Sequence, residues 1–427
     1  MLPEATGRAR ATPTPLLPTP APSMMRRPAP TPAEAMKQTV DRTARRTQSF
    51  TESVIREMTR VAKEHDAVNL AQGFPDFPAP DLLKEAAAAA IRADVNQYAI
   101  TWGAPSLRRA LARKYATRYG MHVDPEREIT VTCGATEAMA AVMLALIDPG
   151  DEVVILEPFY ENYGPDAVLC AASPVFLTLE APAYRLEKER LAAAITPRTK
   201  AIAINTPNNP TGRVFSREEL QAVADLCIEH DLLAITDEIY EHILYQGEHI
   251  PLATLPGMAD RTVTVSGLSK TFSITGWRVG TIVAPPDLTD AIRKVHDFLT
   301  VGSPAPLQEA CAVGLDELGP DYYASLAAGY AERGAMLVAA LRDAGFRCAM
   351  PEGAYYILAD FGELSDEDDT TFAKRLAREA RVASVPGSSF FSVPERGRSL
   401  IRFAFCKKFE TLEEAGARLR EFARRGA

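Results

Sequence analysis

The sequence predicts an α/β protein that has a large domain, with a mostly parallel sheet flanked by helices, and a smaller α+β domain. After about residue 76, short and continuously apolar runs alternate with helical patterns. Such runs are typical of parallel strands that are buried on both faces and joined by crossover helices. From about residue 311 helical segments dominate and enclose two further strand patterns. A chain of 427 residues also favours more than one core.

The elements follow in a definite order. Two helical patterns come first, "DLLKEAAAAAIRAD" and "SLRRALARKYATRYG", and Gly120 closes the second as its C-terminal cap. Six strand-like runs follow: "EITVT", "DEVVILEP", "KAIAINTP", "LLAITDE", "RTVTVSG" and "GTIVAPP". The smaller domain is expected to contain the helices "YYASLAAGYAERGAMLVAALRDAG" and "TTFAKRLAREARV" and the strands "GAYYILADF" and "LIRFAFC". Ligands of open α/β sheets bind beyond the carboxyl ends of the strands, so we expect the functional residues there.

Four regions are expected along the chain. Residues 1–36 are rich in proline, alanine and arginine, lack periodicity and are predicted to be a disordered tail. The arginines of this tail also leave an organelle-targeting segment as an alternative. Residues 37–75 are expected to pack with the small domain, residues 76–310 to form the large domain, and residues 311–427 to form the small one.

Composition favours small-molecule chemistry. The formal net charge of −9 argues against a nucleic-acid partner, and no run approaches the roughly 20 apolar residues that a membrane span needs. The six cysteines are isolated from one another, which predicts free thiols, a reducing, cytoplasmic location and no metal site. Cys133 beside a glycine is a possible nucleophile, although a small buried residue at a strand end is the more common role.

One segment, "SGLSKTFSITGWRVG" at residues 266–280, holds Lys270 and Arg278 without any acidic residue. A lysine that forms an imine must be neutral when it attacks, so burial or a nearby cation must lower its pKa. Arg278 and local desolvation are both candidates for this effect. The alternative for Lys270 is an ordinary surface lysine in a loop.

Two other segments supply polar groups at strand ends. "AITDEIY" ends on Asp237 with Tyr240 three residues later, and "NTPNNPTG" presents Asn209 in a turn. An aspartate that faces a pyridine nitrogen keeps it protonated and makes the ring an electron sink. Tyr240 and Asn209 would then donate to the ring oxygen. A helix N-cap for Asp237 and a purely structural turn for Asn209 are the alternatives.

A fourth segment, "VTCGATEAM", ends a strand and opens a helix at Gly134, Ala135 and Thr136. The amides of a helix N-terminus, the Thr136 hydroxyl and Arg278 together would form a phosphate cradle, although a simple turn is an equal alternative. Four weak motifs thus supply the groups that one phosphate-bearing aldehyde cofactor requires.

Over about residues 45–425 the chain resembles the fold type I, class I/II aminotransferases that depend on pyridoxal 5'-phosphate. The resemblance rests on "NQYAITWGAPSLRRA", "NTPNNPTGRVF", "DEIY", "SGLSKTFSITGWRVG", "VPGSSF" and "IRFAF". It implies that Lys270 is the catalytic Schiff-base lysine, that Asp237 is the partner of the pyridine nitrogen, and that Tyr240 and Asn209 are the ring-oxygen donors. It also implies a phosphate site at Gly134, Ala135, Thr136, Ser266 and Arg278, in which Ser269 could share the role of Ser266.

The resemblance implies further contacts. Tyr160 occupies the position of the aromatic ring that stacks on the cofactor, where members often have Trp or Phe. Tyr98 resembles the residue that reaches the phosphate of the neighbouring subunit, which implies a homodimer with shared active sites. Arg402 matches the arginine that binds the substrate α-carboxylate, with Gly73 and Asn209 beside it. A salt-bridged surface residue is the alternative for Arg402.

The implied reaction is ping-pong transamination between an amino acid and a 2-oxo acid. Relatives specific for dicarboxylates use an arginine donated from the region that here reads "VHDFLTVGSPAP", which has none after Arg293. This absence, and a resemblance to the kynurenine, glutamine and methionine subgroup, favour a neutral or aromatic donor. Phe74, Tyr160 and Phe298 are the candidate pocket aromatics. An aspartate-type aminotransferase, a cysteine-conjugate β-lyase and a non-enzymatic regulatory protein on the same scaffold are the alternatives.

Overall fold

A computed structural model describes residues 42–426 of the chain. The chain divides into two units, Met1–Thr47 and Gln48–Ala427. In the described part of the first unit, the Thr47 amide donates to the Ala44 carbonyl in a short turn. The tail predicted for residues 1–36 lies outside the described residues. Because residues from 48 onward form one unit, the boundary near residue 310 stays a prediction.

The described residues contain twelve α-helices. In chain order they are α1 (Val54–Glu64), α2 (Asp81–Arg92), α3 (Pro105–Tyr119), α4 (Ala135–Leu146), α5 (Tyr163–Leu169), α6 (Lys188–Ala194), α7 (Arg217–Glu229), α8 (Pro286–Thr300), α9 (Ala305–Glu317), α10 (Pro320–Asp343), α11 (Asp369–Arg375) and α12 (Phe409–Gly426). Gly120 caps α3 in the left-handed conformation, with φ of 67°, which confirms the predicted helix end. Within residues 42–426, every helix is too short or too polar to span a lipid bilayer.

Twelve strands complete the described residues. They are β1 (Val68–Asn69), β2 (Ile129–Thr132), β3 (Glu152–Glu157), β4 (Ser173–Thr178), β5 (Thr199–Asn205), β6 (Leu233–Asp237), β7 (Thr262–Gly267), β8 (Gly280–Val283), β9 (Tyr356–Asp360), β10 (Val382–Ala383), β11 (Val385–Pro386) and β12 (Leu400–Ala404).

The large sheet has the strand order β2-β8-β7-β6-β5-β3-β4. All six predicted strands are present, and the fold class is the predicted one. Strand β8 pairs antiparallel with both neighbours, because the link from β7 holds only a short 3₁₀ turn, Thr275–Trp277, and no crossover helix. Strand β4 is not predicted from the sequence, because this edge strand starts on Ser173 and Pro174 and has only a short apolar run, Val175 to Leu177.

A smaller antiparallel sheet, β11-β12-β9, contributes the other wall of the active-site region. Its apolar face is buried in a cluster with Tyr330 of α10 and Phe372 of α11. Ile55 and Met58 of α1 belong to the same cluster, so the first helix of the second unit packs with the C-terminal part of the chain. This packing fixes α1 beside the carboxyl ends of the large sheet.

Candidate active site

A cleft of about 910 Å³ opens at the carboxyl ends of β5, β6 and β7. Asn205 and Asp237, the last residues of β5 and β6, lie on its floor, and Arg402 of β12 lies on its wall. The cleft brings together most of the residues that the sequence singles out: Gly73, Ala135, Thr136, Tyr160, Asn209, Asp237, Tyr240, Ser269, Lys270, Arg278 and Arg402.

Lys270 follows β7 and is half-buried. Its Nζ donates to the Gly73 carbonyl at 3.3 Å. The pKa of Lys270 is lowered to about 8, mainly by burial; Arg278 and Arg402 also lower it, whereas Cys406 and Asp237 oppose the shift. The direction of the shift is the one that an imine-forming lysine needs, because a larger share of the amine is neutral near pH 7.

Asp237 accepts two hydrogen bonds on the floor of the cleft. The Tyr163 hydroxyl donates to Oδ2 at 2.7 Å, and the Ile239 amide donates to Oδ1 at 3.2 Å. Burial raises the pKa of Asp237, while these two bonds and Lys270 oppose the rise. Tyr163 is a site residue that sequence reasoning missed, although it lies three residues after Tyr160 in the same polar segment.

A chain of polar contacts links β5, β6 and β12. The Asn209 amide donates to Asn205 Oδ1 at 2.7 Å, and Asn205 Nδ2 donates to the Asp237 carbonyl at 2.9 Å. Arg402 Nη1 then donates to Asn209 Oδ1 at 2.8 Å. These bonds fix the Asn209 side chain between the predicted cofactor and substrate groups.

Arg402 is a completely buried guanidinium, with 0% of the residue exposed. Besides Asn209, it donates to the Ala71 carbonyl at 2.7 Å, and its Nε has no partner among residues 42–426. No carboxylate of the described residues pairs with it, so it is not the salt-bridged surface residue of the alternative. A buried charge without a counterion is costly, and a bound carboxylate would offset that cost.

Tyr356 of β9 connects Arg402 to Tyr240. The Arg402 Cζ lies 4.3 Å from the centre of the Tyr356 ring, and the Tyr356 hydroxyl lies 3.0 Å from that of Tyr240. Burial raises the pKa of both tyrosines, so both hydroxyls stay protonated and can donate at neutral pH. Tyr356 was also missed, because "GAYYILADF" has the pattern of an ordinary core strand.

The phosphate end of the cleft is built around the N-terminus of α4. Gly134 has φ of 82°, a conformation that strains any other residue, and a Cβ on it would lie 2.1 Å from Arg278 Nη2 and displace the guanidinium. The Arg278 guanidinium is exposed and donates to the Thr275 carbonyl at 3.0 Å. The free amides at Ala135 and Thr136, the helix dipole and Arg278 all favour an anion here.

Besides Gly134, which directly precedes α4, two predicted cofactor contacts do not line this cleft. The buried Ser266 hydroxyl donates to Glu241 Oε1 at 3.0 Å, so the structure does not bring it to the phosphate end, whereas Ser269 lines the cleft. Tyr98 is 87% exposed, and its contact with a neighbouring subunit stays a prediction.

Neither a cysteine nucleophile nor a metal centre is supported. The six cysteines are all free thiols, and burial raises the pKa of the Cys133 thiol, which makes it a poorer nucleophile. Residues 42–426 contain no group of three or more His, Cys, Asp and Glu side chains that could hold a metal ion.

The residues of the cleft fit pyridoxal 5'-phosphate. Each part of this cofactor has a matching group in the cleft. The amine with a lowered pKa matches the aldehyde, and the buried carboxylate matches the pyridine nitrogen. The two hydroxyl or amide donors match the ring oxygen, and the helix N-terminus with its arginine matches the phosphate. The glycine at 134 leaves room that any larger residue would fill.

Comparisons with known proteins agree with this geometry. The family model for aminotransferase class I and II matches residues 65–419. The structure of N-succinyldiaminopimelate aminotransferase from Mycobacterium tuberculosis is similar, with a TM-score of 0.87 and 39% identity over 89% of this chain and 99% of that one. Human kynurenine–oxoglutarate transaminase 1 is 36% identical over 86% of this chain and 94% of its own length. Methionine aminotransferase from Escherichia coli is 37% identical over 86% of this chain and 95% of its own. The chain therefore belongs to the class I and II aminotransferase family, whose members are transaminases that depend on pyridoxal 5'-phosphate.

Proposed function

We propose that this enzyme transfers the amino group of a neutral or aromatic L-amino acid to a 2-oxo acid in a ping-pong cycle. The observation that carries the proposal is the buried Arg402 guanidinium, which lacks a carboxylate partner in the described chain and shares the cleft with Lys270. A group in that position binds the α-carboxylate that donor and acceptor have in common.

When bound, pyridoxal phosphate supplies an aldehyde that takes up the amino group and a ring that accepts electrons from the substrate α-carbon. Lys270 would hold the cofactor covalently through its Nζ. Once freed by the incoming amino acid, this Nζ would take the proton from the substrate α-carbon and deliver it to the former aldehyde carbon, on the other side of the nitrogen. Asp237 would keep the proton on the ring nitrogen, while Tyr240 and Asn209 would donate to the ring oxygen.

The described cleft offers little to pair with an acidic donor side chain. Arg278 and Arg402 have proposed roles, and the remaining arginine that lines the cleft, Arg56, is exposed at the mouth on α1. Of the predicted aromatics, Tyr160 lines the cleft, whereas Phe74 packs 4.3 Å from Lys407 Nζ and Phe298 is 93% exposed. The names of the human and E. coli relatives also denote aromatic and neutral amino acids.

Single-turnover spectra with a panel of donors test the substrate class. The cofactor band should shift with L-methionine and L-kynurenine at least about tenfold faster than with L-aspartate, the usual discrimination when a charge lacks its partner. Aspartate as the fastest donor would contradict the proposal. Pyruvate and ammonia released from a cysteine conjugate without a 2-oxo acid would identify a β-lyase instead.

We also infer that the functional unit is a homodimer. Tyr98 and Phe298 are large, almost fully exposed side chains, and the Thr101 hydroxyl donates to Asp297 Oδ1 at 3.1 Å, which joins their two segments into one patch. An exposed apolar patch of this kind favours association with a second copy. Sedimentation velocity should give a dimer, and the Tyr98→Ala variant should bind pyridoxal phosphate more weakly. A monomer with full cofactor affinity would contradict the inference.

A further inference from the structure

The segment after β6 presents alternate side chains to two sides of the molecule. Asp237 and Tyr240 line the cleft, whereas Glu238 and Glu241 are buried and do not line it. Glu238 is fixed by two bonds, since the Thr236 hydroxyl donates to its Oε1 at 2.8 Å and its Oε2 lies 2.7 Å from a ring nitrogen of His249. Two buried acids so close to the reaction centre need an explanation.

The Glu241 carboxylate accepts bonds from three donors on two different elements. Lys114 Nζ lies 2.5 Å from Oε1, and the Tyr119 hydroxyl lies 2.7 Å from Oε2, both on α3. The Ser266 hydroxyl, near the end of β7, donates to Oε1 at 3.0 Å. Glu241 therefore ties α3 and β7 to the segment that carries Tyr240.

This group is ionised and rigid. Burial raises the pKa of Glu241, but the charge and hydrogen bond of Lys114 and the neighbouring imidazoles of His242 and His249 together outweigh burial, and the net shift is downward. The side chains of Lys114 and Glu241 are 8% and 3% exposed, so the pair is shielded from water. His242 lies 3.9 Å from the same carboxylate and stays neutral, because burial lowers its pKa to about 3. Fully bonded buried networks hold their members in one arrangement.

The network connects the segment that carries Tyr240 with the segment that carries Lys270. Glu241 directly follows Tyr240, and Ser266 precedes Lys270 by four residues. We propose that Glu241, held by Lys114 and Tyr119 and bonded to Ser266, is a positioning residue that fixes the Tyr240 hydroxyl relative to Lys270. The proposal rests on the roles of Tyr240 and Lys270 given under the proposed function. It also gives Ser266 a role that differs from the phosphate contact implied by the resemblance.

The Ser266→Ala variant separates these two roles. A phosphate contact would make Ser266→Ala weaken cofactor affinity and leave the turnover of the saturated enzyme unchanged. A positioning role should instead lower kcat by about tenfold, within the range that a displacement below 1 Å produces, and leave the cofactor Kd and the substrate KM within about twofold. The pH midpoint of the visible absorbance of the bound cofactor should also shift, because this midpoint depends on the hydrogen bond that Tyr240 donates to the cofactor ring oxygen. The matched control is Ser269→Ala, which should raise the cofactor Kd.

A second set of variants guards against misfolding. Glu241→Gln leaves the Lys114 charge buried and unpaired, which can be strongly destabilising, whereas the double variant Lys114→Met with Glu241→Gln removes both charges. The double variant and Ser266→Ala should show the same lowered kcat and shifted midpoint, and combining them should add little further loss. Thermal unfolding of each holoenzyme confirms that the protein is folded.

The outcomes are distinguishable. If the parent enzyme does not transaminate, the proposed function fails, whatever the variants do. If the parent is active but folded Ser266→Ala keeps its kcat and its spectral midpoint, the positioning role is overturned. A raised cofactor Kd with unchanged saturated turnover would overturn it in favour of the phosphate contact.

Discussion

The inner and outer walls of the cleft are built on different principles. The inner wall consists of strand ends and a helix N-terminus, where Asn205, Asp237 and Arg402 are buried and hydrogen-bonded. The outer wall consists of residues 49–56, which are mostly polar, and residues 389–394, which include the buried Phe390 and Phe391; both segments are partly exposed. A rigid scaffold thus holds the groups of the reaction, while irregular segments surround the substrate side chain. Changes to the inner wall should lower kcat or weaken the binding of every substrate, and changes to the outer wall should alter the choice of substrate.

The first segment of the outer wall is hydrogen-bonded to the cleft through Ser53. Ser53 caps the N-terminus of α1, and its hydroxyl donates to Glu161, which follows Tyr160 at the cleft. Arg56, one turn further along α1, is exposed at the mouth and carries no hydrogen bond from its guanidinium to residues 42–426. Glu52 nearby is instead bonded to Arg60 at 2.7 and 2.9 Å.

The largest effect is expected for Lys270→Ala. Loss of the group that carries the proton should lower kcat by at least about 10⁴-fold, the upper range for one acid–base residue, and should abolish covalent cofactor attachment. Stopped-flow turnover with a saturating donor measures kcat, and the visible spectrum shows whether the cofactor is attached covalently. Transamination retained by this variant would show that Lys270 does not carry the proton.

The second-largest effect is expected for Asp237→Ala. This variant should still bind the cofactor covalently but lower kcat by about 10²- to 10³-fold, the usual loss of one preorganised electrostatic partner. Single-turnover decay of the cofactor band is the measurement. Tyr163→Phe is the matched control, since it removes one bond to the carboxylate but keeps the charge, and it should lose much less. A parent-like rate for Asp237→Ala would show that the ring partner is assigned wrongly.

Arg402→Lys should raise KM for every donor and acceptor by roughly 10- to 100-fold, because one charge-assisted bond contributes about 1.5–3 kcal/mol. The ammonium keeps the charge but loses the two-pronged geometry. Initial rates with one neutral and one aromatic donor test this expectation. An increase of KM for one substrate only would show that Arg402 does not bind the shared α-carboxylate but acts in substrate choice, as residues of the outer wall are expected to do.

The rate of covalent cofactor capture by the apoenzyme should depend on pH through Lys270. Only the neutral amine attacks, and the pKa of Lys270 is lowered to about 8. The rate should therefore rise by up to about tenfold per pH unit below 8 and become constant above it. Absorbance changes after rapid mixing give this profile. A midpoint near 10, typical of an exposed lysine, would contradict the burial argument.

The smallest effect is expected on the outer wall. Arg56→Ala should change KM for a dicarboxylic acceptor such as 2-oxoglutarate by only about two- to fivefold, since exposed ion pairs contribute about 0.2–1 kcal/mol. Arg60→Ala, on the same helix but paired with Glu52, is the control and should change neither KM nor kcat. A loss of kcat in Arg56→Ala would erase the distinction between the two walls.

The inner wall was predictable from the sequence, and the outer wall was not. Lys270, Asp237, Asn209 and the helix start at Ala135 each follow a recognisable strand, so their convergence follows from the rule for parallel sheets. The roles assigned to these residues stay proposals.

The partners of these groups come from residues that look like ordinary core. Tyr356 lies in an apolar strand, Tyr163 belongs to a segment without a recognisable motif of its own, and Ser266 matches a phosphate motif although its hydroxyl faces Glu241. The sequence predicts that residues 37–75 pack with the C-terminal part of the chain, but it does not predict that segment 49–56 reaches the cleft, because this follows from the tertiary position of α1.

Borohydride reduction of the holoenzyme, followed by peptide mass spectrometry, tests the central claim most directly. The account predicts that the mass of the reduced cofactor is found on the peptide containing Lys270. Label on another buried lysine such as Lys114 or Lys407, or the absence of label from a protein that retains transaminase activity, would contradict it.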